Sequence, residues 1–373
     1  MSSSAHKKHL VFVGAGHVHL YCLKRLSSLL KLNIQITIIT TTNFYYSGMA
    51  PGILGELYPS DANIVDINDF VNSDAVSLIF DEVLSIDADN KALKLKNRPD
   101  LISFDVLSLN VGSIVSTDAI KGAETYSIPV KPVKNILNLK KLLIDQQTSF
   151  DKQLIVTIIG GGPAGVEIAS NTIKFSENRS LNVKVQLITR SDSLLTNYPS
   201  QFSKKAQSLL KNQSIDVFFN ENVEEITPNA VITNNLTLPT TFTLNCSGTI
   251  PAPLIQKSNL PTSSDGGLLV NQYLQVDEYP FIFSAGDCIS FKQKPLDRVG
   301  VYAIREAPIL YQNLQNYILE QNLKAFKPQT RYLTILNINS TKGLMNYYFL
   351  SLVHSIWLWY KKHLDDAFIS KYK

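Results

Sequence analysis

Val156-Thr157-Ile158-Ile159-Gly160-Gly161-Gly162-Pro163-Ala164-Gly165 is an apolar strand running into a complete G-x-G-x-x-G turn, with Glu167 just inside the helix that follows. Glycine, lacking Cβ, lets a chain turn tightly from strand to helix and approach a pyrophosphate closely. The helix N-terminus adds free N–H groups and about half a positive charge. Val11-Phe12-Val13-Gly14-Ala15-Gly16 repeats the theme roughly 140 residues earlier, but His19 occupies its third glycine position. The first two glycines serve the turn and the phosphate, and the third serves helix-to-strand packing. Phosphate binding therefore survives in the first turn with altered packing.

Apolar periodicity extends both turns into βαβ units. The first is strand His9 to Val13, an amphipathic helix carrying Leu20, Leu23, Leu26 and Leu30, and strand Ile34 to Ile39. The second starts at Leu154, passes through a helix around Val166 to Lys174 and returns as strand Val183 to Ile188. Between and after them come two similar strand endings, Val106 to Ser113 and Leu244 to Gly248, and the strand Tyr279 to Asp287, which delivers Gly286-Asp287. Two such units predict an α/β protein with two Rossmann-like dinucleotide-binding domains. Two dinucleotides in one chain point to a flavoprotein reduced by NAD(P)H.

The 373 residues and 45% apolar content support two or three domains with real cores. The charge of +4 is spread over scattered lysines, which gives no support for nucleic-acid binding. Met1 to Lys8 is polar and lacks a signal-peptide apolar region, so a cytoplasmic location is expected. Cys22, Cys246 and Cys288 are too far apart for a C-x-x-C or C-x4-C redox pair or a thiolate zinc site. The six histidines show no metal-like spacing with carboxylates, and no metal is expected. Cys288, beside Asp287, reads as a small buried residue or a reactive thiol.

Gly14 to Leu20, Tyr46-Ser47-Gly48-Met49-Ala50-Pro51-Gly52, Pro129-Val130-Lys131-Pro132, Gly160 to Glu167, Gly286-Asp287-Cys288 and the aromatic C-terminus together resemble a particular family. It is the FAD-dependent pyridine nucleotide-disulfide oxidoreductase family of the kind often fused to selenophosphate synthetase. More distantly the chain resembles type II NADH dehydrogenases and sulfide:quinone reductases. The resemblance implies a glutathione-reductase-like fold, with an FAD domain at 1–125 and 251–325, an NAD(P)H domain at 126–250 and a short C-terminal region at 326–373.

It also implies residue roles. Gly14, Gly16, His17, Gly112, Gly286 and Asp287 would hold FAD, the carboxylate accepting from ribityl or ribose hydroxyls. Gly160, Gly162 and Gly165 would hold the NADH or NADPH pyrophosphate. Glu167 would handle a proton or position the hydride passing from nicotinamide C4 to flavin N5, or else simply complement the helix dipole. Arg305 and Glu306 replace two glutamines found in type II dehydrogenases beside the isoalloxazine. Arg305 would there stabilise negative charge on the flavin, or the pair is an ordinary charged helix turn.

Two departures qualify the pattern. Thr40, Thr41 and Thr42 stand where an acid usually binds the FAD adenosine ribose, and Thr189-Arg190 ends the equivalent strand of the second unit. Arg190 suits a 2′-phosphate, which keeps NADPH beside NADH. Asn346 to Lys362 is too short and interrupted to span a membrane, which takes about 20 apolar residues. It reads either as an interfacial helix peripheral on the inner membrane face, or as a cap over the flavin domain or a homodimer partner. The function expected is an FAD-dependent oxidoreductase passing electrons from NAD(P)H to a small-molecule acceptor, quinone-like or a selenium or sulfur compound. The alternative is a redox-sensing or partner-binding flavoprotein, with selenophosphate synthetase as its partner.

Overall fold

Strands such as Leu154–Ile159 and His9–Val13 are apolar along nearly their whole length because both faces of the sheets they join are covered. The computed structural model describes residues 7–149 and 152–373. Its first sheet has five parallel strands in the order Ile282–Ser284, Val106–Leu109, His9–Val13, Gln35–Thr40, Val76–Phe80. The second is laid out alike, as Ser127–Pro129, Phe242–Asn245, Leu154–Ile159, Val183–Ile188, Asp216–Phe218. In each, the strand ending in a glycine turn is central, and its βα partner lies on one side. In chain order a three-stranded antiparallel meander follows the third strand of the first sheet, at 83–103, and the fourth strand of the second, at 223–239.

The sheets exchange their edges. From the fourth strand of the first sheet the chain crosses to lay down Ser127–Pro129 as the outer strand of the second, and from Phe242–Asn245 it returns to lay down Ile282–Ser284. The two crossings, Ser113–Val115 and Thr249–Pro251, pair antiparallel with each other. The glycine turns are thereby fixed relative to each other by backbone hydrogen bonds. Each sheet has its own apolar core, centred on residues such as Phe12, Ile38 and Phe283 in one and Val156, Phe175 and Phe202 in the other.

Two expectations need correction. The helix expected to carry Leu20 through Leu30 is broken into His17–Leu23 and Leu26–Leu30, with Leu29 rather than Leu30 in the core. The break is held by Arg25, whose guanidinium lies 3.6 Å from the Tyr21 ring centroid and donates to the Tyr21 carbonyl. The aromatic stretch from Asn346 is not one segment. It closes the strand Lys342–Tyr347, turns, runs back as Leu350–His354 and only then enters the helix Ser355–Ser370, where His354 Nδ1 accepts the Ile356 N–H as a cap.

Candidate cofactor-binding cleft

The first glycine turn and the start of the helix that follows the second open onto one cleft of about 810 Å³, which runs from Thr40–Thr42 past Gly14, Gly16 and Asp287 to Pro163, Ala164 and Glu167. Gly160, Gly162 and Gly165 lie outside its lining. At the first turn Gly14 has φ +87° and its backbone presses on the Asn110 carbonyl, so any Cβ there would collide. Asn110 ties the site together. Its Oδ1 accepts from the Val18 and His19 N–H groups at 3.1 and 3.3 Å, and its Nδ2 donates to the Ala285 carbonyl at 2.6 Å. One side chain thus fixes the helix start to the strand that delivers Gly286-Asp287.

His19, at the third glycine position, is fully buried, with Nδ1 2.5 Å from the Gly14 carbonyl and Nε2 2.8 Å from Ser108 Oγ. A carbonyl only accepts, so Nδ1 carries the proton and Nε2 accepts from the serine. Burial lowers its pKa to about 4, so the ring is neutral at pH 7. His17 lines the cleft against Phe44, Tyr46 and Phe368. Its pKa is also lowered to about 4, chiefly by burial, with Asp287 opposing and Lys131 adding.

Asp287 Oδ2 accepts from Ser113 Oγ at 2.9 Å and Lys131 Nζ at 2.8 Å. Burial pushes its pKa up, but Lys131, with Ser113 and His17 adding, outweighs burial and holds the carboxyl below its ordinary value. Both bonds fall on Oδ2, and Oδ1 has no hydrogen-bond partner among the described residues. Gly112, at φ +72°, has open space where a Cβ would stand, as does Gly162 in the second turn. An acceptor-only oxygen facing a glycine-lined cradle fits the hydroxyls and diphosphate of a dinucleotide.

At the second turn Gly160 has φ +116°, and Gly165 lies directly against the Gly160 carbonyl, leaving no room for a side chain. Gly162 precedes the helix Pro163–Arg179, which puts proline, with no N–H to satisfy, at its first position. Glu167, one turn further, lines the cleft, and its Oε1 accepts the Asn337 N–H at 2.7 Å. Its pKa is raised to about 7 by burial, against the opposing influence of Lys361 and the Asn337 N–H. Behind it the C-terminal helix inserts Asp365, which is buried and accepts from Tyr46 Oη at 3.1 Å, Tyr58 Oη at 3.0 Å and Lys361 Nζ at 2.8 Å.

The structure gathers Gly14, Gly16, His17, Gly112, Gly286, Asp287 and Glu167 along the cleft and does not bring the remaining candidates there. On the helix Gly300–Ile318, Gly300 and Ala303 line the cleft, and Glu306 continues that face beneath it, accepting the Gly286 N–H at 2.6 Å. Burial raises the Glu306 pKa to about 7. Arg305 is exposed and faces a separate hollow with Lys324 and Lys327. Arg190 is exposed at its strand end, away from the cleft. Sequence reasoning passed over Asn110, Ser113, Lys131 and Asp365. The signals present were the Asn at two matching strand ends, Asn110 just after Val106–Leu109 and Asn245 closing Phe242–Asn245, and the lysine within Pro129 to Pro132.

A model of the pyridine nucleotide-disulphide oxidoreductases matches residues 8–312. A probable NADH dehydrogenase of Dictyostelium discoideum is 26% identical over 82% of this chain and 73% of its own. A type II NADH:quinone oxidoreductase of Staphylococcus saprophyticus is 20% identical over 86% and 85%. Among solved structures, NDH2 from Plasmodium falciparum in complex with NADH superposes with a TM-score of 0.83 at 16% identity, over 98% of this chain and 97% of that one. The sulfide:quinone oxidoreductase of Aquifex aeolicus gives 0.79 at 16%, over 98% and 91%. With two glycine turns on two matching sheets and a family match over most of its length, this chain belongs to the pyridine nucleotide-disulphide oxidoreductases, the enzymes that pair FAD with a nicotinamide dinucleotide.

Proposed function

We propose that this protein oxidises NAD(P)H and reduces a quinone, with FAD held along Gly14, Gly16, His17, Gly112, Gly286 and Asp287 and the nicotinamide dinucleotide entering over Gly160, Gly162 and Gly165. The FAD domain comprises residues 1–125 and 251–325, the NAD(P)H domain 126–250, and residues 326–373 close over both. The single observation that carries this reading is the cleft that joins the first turn to Pro163, Ala164 and Glu167, the start of the helix that follows the second turn. Bound there, FAD supplies the two-electron chemistry, and the protein contributes orientation and electrostatics.

Asp287 Oδ1 accepts ligand hydroxyls, while Lys131 and Ser113 keep the carboxylate ionised and aimed. Asn110 holds the first turn in register with the Gly286-Asp287 strand end, and Glu306 fixes the Gly286 N–H from below. Glu167 holds the proton. With Oε1 occupied by the Asn337 N–H, Oε2 is the atom that carries it, and a pKa near 7 lets it both give and take one at working pH. Quinone reduction by NAD(P)H consumes one proton beyond the one the hydride brings, and Glu167 is the titratable group of the cleft suited to pass it. Arg190 at the strand end favours NADPH alongside NADH.

No helix among the described residues is long and apolar enough to cross a membrane. Ile356, Trp359 and Leu364 are exposed on the last helix, and Phe349 is 75% exposed at the hairpin tip. These support contact with a membrane surface, where quinone resides. Steady-state oxidation of NADH and NADPH with short-chain quinones, set beside selenium and sulfur compounds, tests the reading. Sustained turnover with quinone is expected, and a single reduction that stalls with every acceptor would contradict it. Because burial raises the Glu167 pKa, the profile of kcat should break near pH 7. Glu167→Gln should remove that break and lower kcat about 10²–10⁴-fold.

A further inference from the structure

Lys131 follows the outer strand of the second sheet, yet its ammonium crosses to the first, lying 2.8 Å from Asp287 Oδ2 and 2.7 Å from Ser113 Oγ. All three residues line the cleft, and the Lys131 and Asp287 side chains are only 29% and 19% exposed, so solvent screens their charges weakly. An ammonium has three N–H donors. Two are spent here, and the third has no partner among the described residues. The neighbouring cation Arg298 is committed elsewhere, donating to the Asp265 carboxylate at 2.6 Å and to the Asp287 carbonyl at 3.1 Å. Arg305, the cation expected from the sequence to act on the cofactor, faces a different hollow.

Resting on the proposed FAD site, we infer that Lys131 is the residue that sets the reduction potential of the bound flavin, a role the sequence had suggested for Arg305. Hydride brings two electrons and one proton, so reduction adds one net negative charge to the ring. A buried ammonium with a donor to spare favours that charge. Removing it also leaves the Asp287 carboxylate uncompensated in the same cleft, which disfavours the charge further. Lys131 therefore makes the flavin easier to reduce, and it reaches Asp287 of the first sheet from the end of the second sheet's outer strand.

The test is the two-electron midpoint potential of the bound flavin, read by dye-equilibrated reduction in excess FAD, for wild type, Lys131→Met, Lys131→Gln, Lys131→Arg and Arg305→Met. The neutral variants at 131 should shift the oxidised-to-reduced equilibrium about ten- to a hundredfold toward oxidised, a fall of about 30–60 mV. Lys131→Arg should restore most of it, and Arg305→Met should leave it unchanged. Neutral variants with the wild-type potential would overturn the inference. So would loss of flavin from both neutral variants with retention by Lys131→Arg, since Lys131 would then serve binding alone. Wild-type protein that takes up no FAD would instead overturn the proposed function, and this inference with it.

Discussion

In the second turn Gly165 rests against the Gly160 carbonyl with no space between, whereas in the first turn the same position holds His19, whose ring bonds the equivalent carbonyl, that of Gly14. The second turn packs by absence of a side chain. The first packs by filling the gap with a neutral imidazole that also reaches Ser108 on the adjacent strand. A related contrast recurs at Asn110 and Asn245. Asn110 ties the helix start to Ala285, whereas Asn245 turns its Oδ1 back onto Ser247 of its own loop and its Nδ2 to the Ser116 carbonyl, reaching no helix start. A turn cross-braced by side chains is pre-organised for a ligand that stays. One with no side chain among the described residues bracing its helix start suits a ligand that comes and goes.

The sharpest way to break this comparison is to put a Cβ in each turn separately. Gly14→Ala forces a strained φ and strikes the Asn110 carbonyl, so FAD content should fall to near zero. Gly165→Ala strikes the Gly160 carbonyl, so the protein should remain yellow and reducible by dithionite while kcat/KM for NAD(P)H drops at least about a hundredfold. Loss of flavin from both variants would mean the turns are not separate sites. Asn110→Ala comes next. It leaves the Val18 and His19 N–H groups and the Ala285 carbonyl short of partners inside the protein, which should cost about 2–4 kcal/mol in urea unfolding and weaken FAD retention. The equivalent Asn245→Ala should weaken neither FAD retention nor stability by as much.

A smaller effect sharpens the contrast. His19→Gly restores the G-x-G-x-x-G pattern, and the pattern alone would predict an improvement. The structure predicts a loss of about 1–3 kcal/mol, because Ser108 and Gly14 lose their buried partner and the helix gains a glycine. A variant as stable as wild type would show that the histidine merely occupies space.

Most of the second βαβ unit was legible, because strand, turn and helix there follow local rules: the helix read around Val166 to Lys174 spans Pro163–Arg179, and the returning strand is Val183–Ile188 as read. The first helix was misread because no Gly or Pro marks its break at Lys24 and Arg25, which Arg25 holds by its contacts with Tyr21. Arg305 and Glu306 were read together because they are neighbours in sequence. Helical rotation separates them, turning Glu306 under Gly286 with Ala303 and Arg305 outward. Lys131 and Asp365 owe their importance to partners 156 and about 300 residues away. Periodicity carries no information about such pairs, and only the exchange of edges between the sheets brings Lys131 to Asp287.

Anaerobic spectroscopy of the purified protein decides whether the two turns hold two different dinucleotides, FAD at the first and NADH or NADPH at the second. A yellow protein with one FAD per chain that bleaches on addition of NADH or NADPH is predicted. A colourless protein that takes up no added FAD, or a yellow one that neither nicotinamide reduces, would contradict it.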